Sequence, residues 1–183
     1  MTSAVDTHKL TAGTWGIDPV HSSVNFAVRH LVVGKTYGRF DQFSGAITIS
    51  DDGTPSVLAE VDINSIDTGN EQREAHIKAP DFFDAAQFPT ATFVSTSVRP
   101  DGDDYVLDGD FTLKGVTKPV TLTLAFNGVS PGMGHGEVAG FDASVMLSRK
   151  DFGVGGELLL DGGGAIVGDK VTITLAIEAH RQG

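Results

Sequence analysis

Cysteine is absent from all 183 residues. Its absence excludes disulfides, thiol catalysis and every thiolate metal site. Positive charge is scarce: 13 Lys and Arg stand against 24 Asp and Glu, for a net charge of −11. Nucleic acid presents an anionic backbone, so it is not expected as a partner. Apolar runs are only a few residues long, and an integral membrane protein is not expected. None of the six histidines (His8, His21, His30, His76, His135 and His180) forms an HxH or HExxH pair, so no metal is expected. No serine lies in a GxSxG elbow. Gly153-Val154-Gly155-Gly156 lacks the preceding strand and following helix of a dinucleotide site. No residue set marks the chain as an enzyme, and no cofactor is expected. The opening Met1-Thr2-Ser3-Ala4-Val5-Asp6 has neither a basic stretch nor an apolar segment, so the cytoplasm is the expected location.

What the chain has in quantity is alternation. Val24, Phe26, Val28 and His30 share one parity, and Ser23, Asn25, Ala27 and Arg29 take the other. Successive side chains of a strand face opposite sides, so this pattern reads as one apolar face and one wetter face. It recurs at Ile47–Ile49, at Val57, Ala59, Val61 and Ile63, and at Tyr105, Leu107, Phe111 and Leu113. It is cleanest later, at Val120–Phe126, Phe141–Leu147 and Val171–Ile177, where the outer parity is rich in threonine. Turn signals separate the runs: Asp51-Asp52-Gly53, Pro100-Asp101-Gly102, Lys114-Gly115 and Asp161-Gly162-Gly163-Gly164. The count is about eight antiparallel strands, and few helices leave a sandwich or a barrel. Residues 1–13 read as a flexible arm, 14–183 as one all-β domain, and the glycine-rich 153–168 as a long hairpin loop.

One stretch breaks the rhythm. Residues 69–88 lack alternation. Asn70 is a suitable cap for a short helix running to about Ala75, and Pro80 ends it. Arg73 and His76, three apart, share a face of that helix. Phe82, Phe83 and Phe88 add three aromatics, which either seal one end of the fold or meet a ligand.

An eight-stranded barrel is either filled by its own side chains or holds one small ligand. Eleven phenylalanines offer an apolar lining, while Ala59 and Ala143 leave room on the inner parity. Such an interior suits a hydrophobic small molecule, mostly hydrocarbon with one polar end. His30, on the apolar parity, is a structural core histidine or a group that greets that polar end. Two other readings stand beside a carrier: a lipid-modifying enzyme in which His30, Arg73 and His76 converge, and a packed structural barrel without ligand.

Ordered motifs over residues 14–179 carry a resemblance. They include Trp15-Gly16-Ile17-Asp18 with His21-Ser22, then Gly38-Arg39-Phe40 with Phe43-Ser44-Gly45, then Ser65–Gly69 with Arg73, His76 and Asp81–Asp84. Phe88-Pro89, Thr112–Val120 and Arg149-Lys150-Asp151-Phe152-Gly153 follow. In these motifs the chain resembles the YceI-like family of polyisoprenoid-binding, lipocalin-like proteins. The family often carries Arg-Asp where this chain has Arg73-Glu74. The resemblance implies an extended antiparallel barrel around an elongated apolar cavity. It also implies binding, storage or transport of a polyisoprenoid, an isoprenoid quinone or a fatty-acyl lipid as cargo. Some members are dimers, so the resemblance makes a homodimer one of the states open to this chain. The residues expected to meet the ligand are Phe26, Val28 and His30, then Phe40 and Phe43. Arg73, His76, Phe82 and Phe83 follow in the insertion, then Phe93, Phe111, Leu113, Leu124 and Val145 on later strands.

Overall fold

The computed structural model describes residues 10–157 and 166–183. The turn expected at Asp161–Gly164, and residues 1–9 of the expected arm, lie outside the described residues. Strand segments follow in the order β1 (Gly13–Ile17), β2 (Ser23–His30), β3 (Gly34–Phe40), β4 (Phe43–Ile49), β5 (Pro55–Asp62) and β6 (Ile66–Asp67). The helix α1 (Glu71–Lys78) interrupts them. Then come β7 (Thr90–Asp101), β8 (Asp104–Leu113), β9 (Val116–Ser130), β10 (Val138–Ser148) and β11 (Val167–Arg181).

Every pairing is antiparallel. Eight segments form a ring in the order β1-β4-β5-β7-β8-β9-β10-β11, and β11 returns to β1. The fold is an eight-stranded antiparallel barrel with one short helix, as the alternation implies. Closure pairs the backbone groups that an open sheet would expose along its edges. The extra segments arise because three strands are each broken once. β11 is long enough to pair with β1 through Ala179–Arg181 and with β2 through Val167–Ala176. In the same way β3 precedes β4, and β6 follows β5 across a 3-10 turn at Ile63–Ser65.

Turn chemistry matches local sequence. Lys114 and Gly115 both have positive φ (49° and 73°), the signs of the two-residue hairpin turn that follows strand twist best. α1 begins where Asn70 accepts a bond from the Arg73 amide at 2.8 Å. It continues past Ala75 to Lys78, a turn longer than expected, before Ala79 and Pro80 end it. The polar sequence of α1 buries no residue. The apolar residues after it do the packing: Phe83 and Ala85 join Ile63, Ala91, Phe40 and Phe111 in one cluster. The opposite end of the barrel holds a second cluster of Trp15, Ile47, Ile49, Ala139, Phe141 and Ala179.

Candidate functional site

The barrel encloses a hollow that residues of both clusters, among them Ile47, Phe141 and Ile63, help to line. A cavity of about 830 Å³ is lined from every strand of the ring. Phe26 and Val28 reach it from β2, Phe40 and Phe43 from β3 and β4, and Phe93 from β7. Phe111 and Leu113 on β8, Leu124 on β9 and Val145 on β10 also face it. The small inward residues Ala59 and Ala143 are part of the same wall.

The hollow has a local cause in cross-strand glycines. Phe26 lies opposite Gly38 on β3, and a Cβ at Gly38 would come within 2.3 Å of its ring. A Cβ at Gly109 on β8 would come equally close, at 2.3 Å, to the ring of Phe93 on β7. Each ring lies against a neighbouring strand instead of projecting across the lumen. The rings also lean on one another: Phe26–Phe40 centroids are 5.7 Å apart, and Phe40–Phe83 meet edge to face at 6.4 Å. Such contacts hold large side chains at the wall.

Polar groups gather at the end that carries α1. Arg29, His30, Arg73, His76 and Arg149 all border the cavity. His30 departs from the expected core histidine. It ends β2 and is exposed. Arg73 donates to Thr68 Oγ1 at 3.0 Å and to the Thr68 carbonyl at 2.6 Å. Glu74 does not pair with it. Its Oε1 accepts from the Thr68 amide at 2.6 Å, which holds its carboxyl below the ordinary value. Arg73 and Glu74 therefore brace the same residue, Thr68, from two directions. His76 meets Asp81 at 3.0 Å and stands edge-on to Phe82 at 5.2 Å. The bond from His76 also lowers the Asp81 pKa. Phe82 and Phe83 both line the cavity, whereas Phe88 packs near Gly115 on the β8–β9 turn.

Arg149 was not singled out among the site residues, although it opens the motif ending at Gly153. Its buried guanidinium donates to the carbonyls of Gly168 (2.8 Å), Val154 (2.9 Å), Val167 (3.0 Å) and Gly156 (3.2 Å). Among the described residues, carbonyl oxygens and not a carboxylate satisfy this cation, and they tie the loop after β10 to β11. Among the described residues no group of three His, Asp or Glu side chains is placed to hold a metal ion.

This architecture matches a known domain. The sequence profile of the YceI-like domain covers residues 15–179. The chain belongs to the YceI-like family. Protein YceI of Escherichia coli is 41% identical over 136 residues, spanning 73% of this chain and 71% of the relative. Protein YceI of Salmonella newport is 40% identical over 137 residues, with the same two coverages of 73% and 71%. Among solved structures, BcnA of Burkholderia cenocepacia superposes with a TM-score of 0.74 at 27% identity, covering 88% of this YceI-like chain and 98% of BcnA. A polyisoprenoid binding domain from Saccharophagus degradans shares the fold, with a TM-score of 0.71 at 17% identity over 92% of this chain and 98% of that one.

Proposed function

We propose that this YceI-like protein binds one elongated, hydrocarbon-rich molecule per barrel, for storage or transport and without covalent chemistry. The carrying observation is the cavity of about 830 Å³, walled by phenylalanine and aliphatic side chains inside a closed ring of strands. Its size falls within the range of small-molecule sites, about 300–1,000 Å³. Each methylene moved from water into such a wall contributes about 0.8 kcal/mol, so an alkyl or prenyl chain needs no strong polar contact. Ordering that chain offsets part of the gain. The cargo classes are a polyisoprenoid, an isoprenoid quinone and a fatty-acyl derivative. Polyprenyl chains come first, because the Saccharophagus degradans domain of the same fold is a polyisoprenoid binding domain. The polar end of the cargo would lie among Arg29, Arg73 and His76.

The test has two parts. Organic extraction of the purified protein followed by mass spectrometry reads any resident cargo. Titration of delipidated protein with prenyl and acyl chains of graded length reads the lumen, and affinity should rise with length and then level off. Ala143→Trp should move that plateau to shorter chains, since Ala143 is on the wall beside Leu107 and Leu122. Flat affinity across lengths, or no uptake at all, would remove the carrier reading.

A further inference from the structure

The β2–β3 hairpin ends in Leu31-Val32-Val33, three apolar residues with 41%, 57% and 87% of their surface exposed. A hairpin turn normally takes Asn, Asp or Gly, because positive φ costs them least. Here Leu31 and Val32 have φ of 49° and 68°, and the Val33 amide bonds back to the Leu31 carbonyl at 2.8 Å. A β-branched residue at positive φ is strained. Thus the tip is both apolar in water and unfavourable for its own backbone.

The flanks have a definite charge. Arg29 and Lys35 face each other directly across the β2–β3 ladder. Like charges at such a pair repel. Among the described residues neither joins a salt bridge. In a chain of net charge −11, this places two cations together beside an exposed apolar tip. Tyr37, 67% exposed, continues the face of Lys35 along β3. An apolar tip and a cationic collar are the groups that an anionic bilayer receives at successive depths.

We propose that the β2–β3 hairpin docks the barrel on an anionic lipid bilayer, with Leu31, Val32 and Val33 among the acyl chains and Arg29 and Lys35 at the phosphates. The hairpin stands at the end of the cavity bordered by Arg29 and His30. Docking there turns that end of the lumen toward the membrane from which a hydrocarbon cargo would come. This last consequence rests on the carrier reading; the docking itself does not.

Flotation of the full chain with vesicles tests it, using phosphatidylcholine alone and phosphatidylcholine mixed with phosphatidylglycerol. Association is expected with the anionic vesicles, weakening as salt is added. Val33→Asp and Lys35→Glu should each lower it by about tenfold or more, while uptake of a fluorescent acyl chain in vesicle-free solution is unchanged. Leu31→Asn with Val32→Gly installs the favoured turn pair, so it should raise the melting temperature and still weaken vesicle binding. Equal binding by all these variants, or no binding to either vesicle, overturns the proposal. So does a tip-dependent dimer without vesicle binding, which would make the partner a second copy. Vesicle binding without acyl uptake would instead remove the carrier reading and leave docking in place.

Discussion

Along β10 and β11 the same alternation serves two different interiors. At one end Ala139 and Ala179 are fully buried, and they surround Trp15 together with Ile47, Ile49 and Phe141. A few residues along the same strands, Val145, Ile173 and Leu175 are only half-buried and line the cavity. Composition does not separate the two regions, since both inward sets are aromatic and aliphatic. What differs is fit. At the packed end a large indole meets two alanines, and Phe126 stacks on Phe141 at 5.2 Å. Farther along the barrel, the rings of Phe26 and Phe93 lie over Gly38 and Gly109 at the wall. The cluster around Trp15 therefore carries stability, and the wall around Phe26 and Phe93 gives some up for volume.

The largest expected effect breaks this comparison directly. Trp15 has no exposed surface, and its indole N–H donates to the Thr11 carbonyl at 3.0 Å. Trp15→Ala should cost about 3–5 kcal/mol, the usual loss for a large buried aromatic. Phe26→Ala, in the hollow half, should cost only about 1–2 kcal/mol, because its ring already borders open volume. Urea unfolding of the two variants measures the contrast. Equal losses would mean that the lumen wall is packed as tightly as the closed end.

A middle-sized effect sharpens it. The Cβ of Gly38→Ala falls within 2.3 Å of the Phe26 ring, which must swing toward the lumen. The ring can move, so the fold should survive with a loss of about 1–2 kcal/mol, in the range of mild overpacking. Cargo capacity should fall instead, read as a shift of the preferred chain length to shorter chains. An unchanged preference would show that the glycine does not set the lumen width.

Much of this was legible in the sequence because strand periodicity is local. The inner and outer parities, the strand number, the Asn70 cap and the Lys114-Gly115 turn each depend on neighbouring residues. All fourteen residues expected to meet a ligand line the cavity. The hollow itself was not legible in this way. It depends on Gly38 lying opposite Phe26 and on Gly109 lying near Phe93, and these relations come from register between strands. The same holds for Arg29 facing Lys35. The exposure of His30 was missed because parity assigns a side but not a height along the barrel. Asp18–Ser22 divides β1 from β2 beside a continuous partner, β11, that lies far away in sequence.

That break is the joint between the packed and hollow regions, and it carries the smallest expected effect. Asp18 Oδ2 meets His21 at 2.7 Å and His180 at 3.1 Å, while Asp18 Oδ1 accepts from the Val20 amide at 2.8 Å. The His21 hydrogen bond, followed by that of Val20, lowers the Asp18 carboxyl from 3.8 to about 2. The same contact raises His21 above 6.5. A lowered carboxylate stabilises the fold above its unfolded value, and that contribution is lost as pH falls toward about 2. A raised histidine stabilises below 6.5, and its contribution is lost as pH rises through the higher folded value. Both are therefore fully present together between 3.8 and 6.5. The melting-temperature difference between the wild type and Asp18→Asn should be widest in that window and narrow on either side. It should remain small throughout, because His21 is largely exposed and solvent screens the pair. A difference that instead grew above neutral pH would mean that the joint is held by hydrogen bonds to neutral imidazoles, so that its strength would not depend on the charge of His21.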